Sequence, residues 1–253
     1  MGRLDGKIVW VTGAGSGIGE AAALALAREG AAGVVLTGRR REPLEGVARR
    51  VLPAAVAVEP GDVTVSADVG RIAASIRERF GRLDILVANA GTNVVGRDWG
   101  RLTPEAAEAV LTGNLTGAFL SALAVLPIMR AHGGGLLIHT ASVAGRLIGL
   151  LAGPAYTAAK HGLVAMSHSI NVQECVNGIR SCAILPGEVA TPILDQRPVP
   201  VSDEDRAQML LPEDVADLIV YVASLPVHVV INEVMITPTW NRAYVDQVQR
   251  AGL

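Results

Sequence analysis

TGAGSGIG, from Thr12 to Gly19, follows the apolar run Ile8–Thr12 and opens an alanine-rich stretch that closes at Gly30. A β-branched run, a glycine turn and a helical stretch in that order read as strand, anion-binding loop and helix. Glycines at 13, 17 and 19 can adopt positive φ, let a pyrophosphate approach the backbone and let the helix pack closely on the strand. The helix start offers unpaired N–H groups and a partial positive charge, so Ser16 and Ile18, set among those glycines, join them as candidate anion contacts. The common spacing GxGxxG does not fit: counted from Gly13 it ends on Ile18, and from Gly15 on Glu20. TGxxxGxG fits. A GK[ST] ending is missing, which excludes the loop of a nucleoside triphosphatase. A purely structural glycine turn is the competing reading.

Outward from this turn, short apolar runs recur at Ile8–Thr12, Val34–Thr37, Ala55–Val58, Ile85–Ala88, Leu136–Thr140, Ser181–Leu185 and Val229–Ile236. Most are continuously apolar, as strands are when helices cover both faces of a parallel sheet. Helical stretches fill the gaps at Ile18–Glu29, Ala67–Phe80, Pro104–Ala131, Ala155–Val176 and Glu213–Ser224. The expectation is an α/β fold, a Rossmann-like doubly wound sheet of seven parallel strands, forming a single domain over residues 1–253. Residues 191–211, with Pro192, Pro198 and Pro200, lack periodicity and read as a loop outside the sheet. Residues 238–253 read as a C-terminal tail.

Half of the 253 residues are apolar and 18% are charged, which suits a large buried core and excludes disorder. A net charge of −2 gives no footprint for a nucleic acid, despite the run Arg39, Arg40, Arg41. Two cysteines, Cys175 and Cys182, make no disulfide framework, and the N-terminus has no apolar signal core, so a reducing, cytoplasmic setting is expected. Ala109–Met129 carries no charge and has the length of a membrane span. Thr112, Gly113, Asn114, Thr116, Gly117, Ser121 and Pro127 interrupt it, which suits a helix buried within protein and predicts no membrane partner. The histidines at 132, 139, 161, 168 and 228 show no metal spacing.

Tyr156 and Lys160, in YTAAK, are four apart in a helical stretch and so share a face. Of 22 basic residues only Lys7 and Lys160 are lysines. An ammonium is a compact charge that can reach a ribose hydroxyl and lower a neighbouring phenol's pKa, where a guanidinium is a wide fork. A solvated helix lysine is the bland alternative.

These motifs together resemble the short-chain dehydrogenases/reductases, over nearly the whole chain from Leu4 to about Pro238. The glycine turn matches the family's TGxxxGIG, and Ser142 in HTASVAG and Asn114 in NLTG complete, with Tyr156 and Lys160, its catalytic tetrad. The resemblance implies that Tyr156 is the general acid/base at the carbonyl or alcohol oxygen and that Ser142 orients that oxygen. Lys160 would hold the nicotinamide ribose and stabilise the phenolate, and Asn114 would anchor a water in a proton relay. Thirteen residues separate Ser142 from Tyr156, commonly one more than in the family, so the intervening loop is expected to bulge; a strand-end turn former is the other reading of Ser142. Asp62, in GDVT beside Val63, matches the adenine contact, with a helix N-terminal acid as the alternative. Asn89, Ala90 and Gly91 reproduce the NAG motif, with Ala88 in place of a common first Asn. Pro186, Gly187 and Thr191, with Val189 between, match the PGxxxT turn that holds the carboxamide.

The end of the second strand reads TGRRR. Gly38 stands where an acid would bind the adenosine ribose, and Arg39 or Arg40 could pair a 2′-phosphate, so NADP(H) is favoured and NAD(H) stays possible. Solvated surface arginines would read the same. Val143, Leu147, Ile148, Leu150, Leu151, Ile193 and Leu194 suggest an apolar pocket, though ordinary core packing predicts the same residues. The expected function is hydride transfer between the nicotinamide and a small-molecule carbonyl or secondary alcohol, by a homo-oligomer, tetramer or dimer, packed through the Asn114 and Tyr156 helices. The alternatives are lyase or epimerase chemistry on the same fold, or a non-catalytic cofactor-sensing protein.

Overall fold

The structure, a computed structural model, describes residues 2–252; Met1 and Leu253, the ends of the expected single-domain span, lie outside the described residues. Among the described residues, seven strands form one parallel sheet: β1 (Ile8–Thr12), β2 (Gly33–Gly38), β3 (Ala55–Pro60), β4 (Ile85–Ala88), β5 (Gly135–Thr140), β6 (Ile179–Pro186) and β7 (Glu233–Ile236). Their order is β3-β2-β1-β4-β5-β6-β7, so the winding reverses between β1 and β4, the place where an open α/β sheet leaves a crevice for a ligand. β1 and β4 are buried at every position, which is why both read as unbroken apolar runs.

Helices cover both faces. α1 (Gly17–Arg28) and α8 (Pro212–Ala223) pack on one side with Leu26, Leu36, Val11 and Ile219 in the core. α3 (Ser66–Phe80), α5 (Gly117–Ala131) and α6 (Pro154–Glu174) pack on the other around Trp10, Leu86, Leu137 and Met129. Trp10 is fully buried, and its indole N–H donates to Thr37 Oγ1 at 2.9 Å, so the large apolar ring carries no unsatisfied polar atom.

Four expectations need correction. The expected helix Pro104–Ala131 is α4 (Pro104–Leu111), a π-turn over Thr112–Thr116, and then α5. Asn114 Nδ2 donates to Val110 O at 2.8 Å, taking the acceptor that an α-helix would give to the backbone N–H of residue 114. This stretch has a mean hydropathy of 1.7 and the length to cross a membrane, but 39% of that window is buried within the fold rather than all of it. Its outer side shows Phe119 and Leu123.

The last strand is shorter than the run Val229–Ile236, because the Arg180 guanidinium takes Val229 O at 2.6 Å and holds residues before β7 in a turn. Residues 191–211 are not a plain loop. A 3-10 turn at Pro192–Gln196 and the short helix α7 (Asp203–Ala207) lie within them, with Ser202 Oγ capping α7 from Asp205 N at 3.1 Å. Two helices had no counterpart in the sequence reading: α2 (Arg41–Ala48), and α9 (Arg242–Ala251) in the expected tail.

Candidate active site

A cleft of about 2040 Å³ is lined by residues at the C-terminal ends of five strands: Gly13 after β1, Gly38 of β2, Asn89 after β4, Thr140 of β5 and Pro186 of β6. Its dinucleotide end is built from backbone. Gly13 and Gly17 hold φ of 65° and 57°, conformations that glycine supplies without strain. Ser16, at the N-cap of α1, makes no side-chain cap, which leaves the first-turn N–H groups of α1 without a side-chain partner; Ser16 and Ile18 both line the cleft. Gly19 does not line it. A Cβ there would lie 2.2 Å from Gly13 O and 2.6 Å from Asn89 Nδ2, so close packing of helix on strand requires glycine at this position.

Arg39 and Arg40 are exposed at the cleft, and neither pairs with a carboxylate among the described residues. Asp62 lies four residues ahead of α3, so it is not that helix's N-terminal acid. Its Oδ1 accepts from Thr64 N at 2.9 Å and Thr64 Oγ1 at 2.7 Å, which sets the carboxylate beside Val63 on the cleft wall. Asn89 braces the switch point: its Nδ2 donates to Thr12 O at 3.2 Å while its own N–H, and that of Ala90, donate to Thr12 Oγ1 at 3.0 and 3.1 Å. Gly91 is small for a reason, since a Cβ would meet Asn114 Oδ1 at 2.7 Å and Lys160 Nζ at 3.6 Å. Thr191 is buried against Gly17, and with Pro186, Gly187 and Val189 it forms the opposite wall.

The structure brings Asn114, Ser142, Tyr156 and Lys160 to the same cleft. Asn114 Nδ2 also donates to Thr92 O at 2.6 Å, and its Oδ1 accepts from Thr92 N at 3.3 Å. Ser142 caps a 3-10 turn, its Oγ accepting from Ala144 N at 3.1 Å, so the turn-forming and site-lining readings of this serine both hold. In the loop between Ser142 and Tyr156, Ile148 and Leu150 are exposed. Tyr156 and Lys160 are one turn apart on α6; Lys160 Nζ donates to Thr140 O at 2.8 Å and lies 5.3 Å from the centre of the Tyr156 ring. The apolar residues from Val143 to Leu151, with Ile193 and Leu194, line the same cleft.

Burial sets the electrostatics. It pulls the Lys160 ammonium down to about 8 and pushes the Tyr156 phenol up, while the Ser142 hydroxyl and the Arg97 guanidinium draw that phenol back down. Arg97 was missed in the sequence, where nothing separates it from the other arginines. Its burial arises only where the loops after β4 and β5 meet residue 196.

His139 on β5 is fully buried, and neither ring nitrogen has a partner among the described residues. Burial, and then the nearby Lys160 charge, bring it down from 6.5 to about 4. Unfolded chains take up this proton as the pH drops below about 6.5 and the native protein only near 4. Stability is therefore full above 6.5 and lost as the pH falls through that window, by about 3 kcal/mol. Chemical denaturation of His139→Leu should show an acid dependence weaker than the native protein's by about that amount; identical pH profiles would refute it.

Fold and cleft together define a dinucleotide-dependent oxidoreductase architecture. Residues 7–199 match the family model for the short chain dehydrogenases, and the chain belongs to that family. It is 32% identical to an uncharacterised oxidoreductase of Staphylococcus haemolyticus, covering 94% of this chain and all of that one. Among solved structures it resembles an alcohol dehydrogenase from the archaeon Thermococcus sibiricus complexed with 5-hydroxy-NADP (TM-score 0.83, 28% identity, 93% of this chain and 98% of that one). It is also similar to levodione reductase (0.83, 30%, 96% and 100%) and to a metagenomic short-chain oxidoreductase in complex with NADP (0.80, 30%, 94% and 99%). The family binds NAD(P), and the glycine cradle and open cleft fit such a dinucleotide.

Proposed function

We propose that this oxidoreductase exchanges hydride between NADP(H) and a carbonyl/secondary alcohol pair, with Tyr156 as general acid/base. The carrying observation is that Ser142, Tyr156 and Lys160 meet on the cleft that the glycine turn also lines: the Ser142 hydroxyl hydrogen-bonds the Tyr156 phenol, and Lys160 Nζ lies 5.3 Å from the centre of its ring. A bound nicotinamide would supply or accept the hydride. Tyr156 Oη gives its proton to the carbonyl oxygen in reduction or takes it from the alcohol in oxidation. Ser142 Oγ holds that oxygen. Lys160, steadied by Thr140 O, would reach a ribose hydroxyl and favour the phenolate through its charge over the ring. Asn114, with Oδ1 beside Gly91 and near the lysine, would hold a relay water.

NADP(H) is favoured over NAD(H) because Gly38 leaves no acid at the end of β2 while Arg39 and Arg40 stand at the cleft without carboxylate partners. Replacing both arginines with alanine should raise the NADPH Kd by about tenfold to a hundredfold and leave that for NADH nearly unchanged, as read by fluorescence titration. Equal losses for both coenzymes would contradict the assignment. The exposed apolar side chains on α5 and α6, Phe119, Leu123 and Val172, favour a homo-oligomer packed through those helices. Incubation of a ketone and alcohol panel with each coenzyme, following the absorbance of the reduced nicotinamide, tests the whole reading. Product formation without coenzyme turnover would favour lyase or epimerase chemistry instead.

A further inference from the structure

Besides Arg39 and Arg40, four arginines line the cleft: Arg250 is exposed, while Arg97, Arg197 and Arg242 are buried or half-buried and differ in what answers their charge. Arg197 Nη1 lies 2.6 Å from Glu188 Oε1. Arg242 reaches the same oxygen at 2.6 Å and Asp205 Oδ2 at 2.8 Å. Arg97, 7% exposed, has no such partner: among the described residues no carboxylate lies within 4.0 Å of it. Its Nε donates to Val94 O at 2.7 Å, Nη1 to Leu151 O at 3.2 Å, and Nη2 to Gln196 O. These bonds use three of the five N–H donors of a guanidinium, all on neutral carbonyls, so two donors and the charge itself are unanswered. Its charged neighbours are Arg197, which repels it, and the Tyr156 phenol, which it draws toward ionisation.

We propose that the substrate turned over at Tyr156 carries a carboxylate and that Arg97 receives it; this rests on the hydride-transfer reading of the site. A substrate that closes the cleft expels water from around this guanidinium, and a buried charge without a counter-ion is costly. A carboxylate removes that cost and matches the planar fork with the two donors still free. A phosphate dianion fits less well, because two free N–H donors and one unpaired positive charge leave its third oxygen and its second negative charge unanswered. Leu147, Ile193 and Leu194 then face the apolar stem that joins the carboxylate to the reacting carbon. Arg97 also ties three cleft walls together through its carbonyl contacts, so its loss can slow any substrate, and the test must read discrimination.

Aliphatic oxo acids of graded chain length, each paired with its methyl ester, are assayed with NADPH on the native enzyme, Arg97→Lys and Arg97→Gln. The native enzyme should favour the best acid over its ester by at least ~30-fold in kcat/KM, Arg97→Gln should bring that ratio near unity, and Arg97→Lys should keep part of it. Equal use of acid and ester by the native enzyme overturns the proposal. So does a parallel fall for both in Arg97→Gln with the ratio unchanged, which is the signature of a wall-tying role alone. If neither acid nor ester is reduced, the hydride-transfer reading is what fails, and calorimetry of hexanoate and hexanamide on the NADPH-loaded protein decides the carboxylate site separately. Tighter hexanoate binding that Arg97→Gln abolishes sustains it, and equal binding overturns it.

Discussion

Tyr156→Phe should lower kcat by about 10²–10⁴ while leaving NADPH binding within a few-fold of the native value. The substitution deletes one oxygen and keeps the ring under the Lys160 ammonium, so the packing of α6 on the cleft is preserved. On the proposed mechanism, what disappears is the proton that passes to or from the substrate oxygen. Burial raises the phenol, and the Ser142 hydroxyl and the Arg97 guanidinium draw it back down, which on the proposed mechanism is what the group needs to work near neutral pH. Stopped-flow binding of NADPH and steady-state turnover, measured on the same preparations, separate the two effects. A variant that retains most of the native kcat would show that another group moves the proton.

Lys160→Arg should be nearly as inactive as Lys160→Met, each losing at least about 10²-fold in kcat/KM, although the arginine keeps the charge. The lysine is only 4% exposed, and its Nζ is fixed by Thr140 O on one side and approached by Gly91 on the other. Gly145 crowds its backbone, where a Cβ would lie 2.8 Å from Lys160 O. A slender stem ending in a point charge fits this channel; a planar fork must displace its walls, and overpacking of that kind shifts neighbouring groups. Circular dichroism would confirm that both variants fold. Retention of more than a tenth of native activity by the arginine variant would mean that charge alone suffices.

The residues that were legible in the sequence are those whose role is local. β1 and β4 were bounded to the residue at Ile8–Thr12 and Ile85–Ala88, because a strand covered on both faces writes an unbroken apolar run. The glycine turn was legible because positive φ and close approach demand glycine whatever the rest of the chain does. Elements fixed by a distant partner were not legible. The break between α4 and α5 depends on where the Asn114 amide points, and the shortening of β7 on the reach of Arg180 from another strand. α2 is written REPLEGVA, with Pro43 and Gly46 inside it, which masks its two buried residues, Leu44 and Val47.

The same division holds within the site. Tyr156 and Lys160 announce themselves by spacing on one helix and by the rarity of lysine. Arg97 does not, since its character comes from three loops that meet only in the folded chain and leave a buried cation without an acid. The packing role that the motif gives Gly19 acquires its partner only in the fold, where Gly13 O lies 2.2 Å from where its Cβ would be.

The most direct measurement follows an isotope. NADPH carrying deuterium on the transferable position of its nicotinamide is incubated with the enzyme and the best carbonyl substrate from the panel, and the product is read by mass spectrometry and NMR. The account predicts deuterium on the new carbinol carbon, one atom per coenzyme oxidised, in the native enzyme and at a strongly reduced rate in Tyr156→Phe. Product without label, or coenzyme left unoxidised across the whole panel, would contradict it.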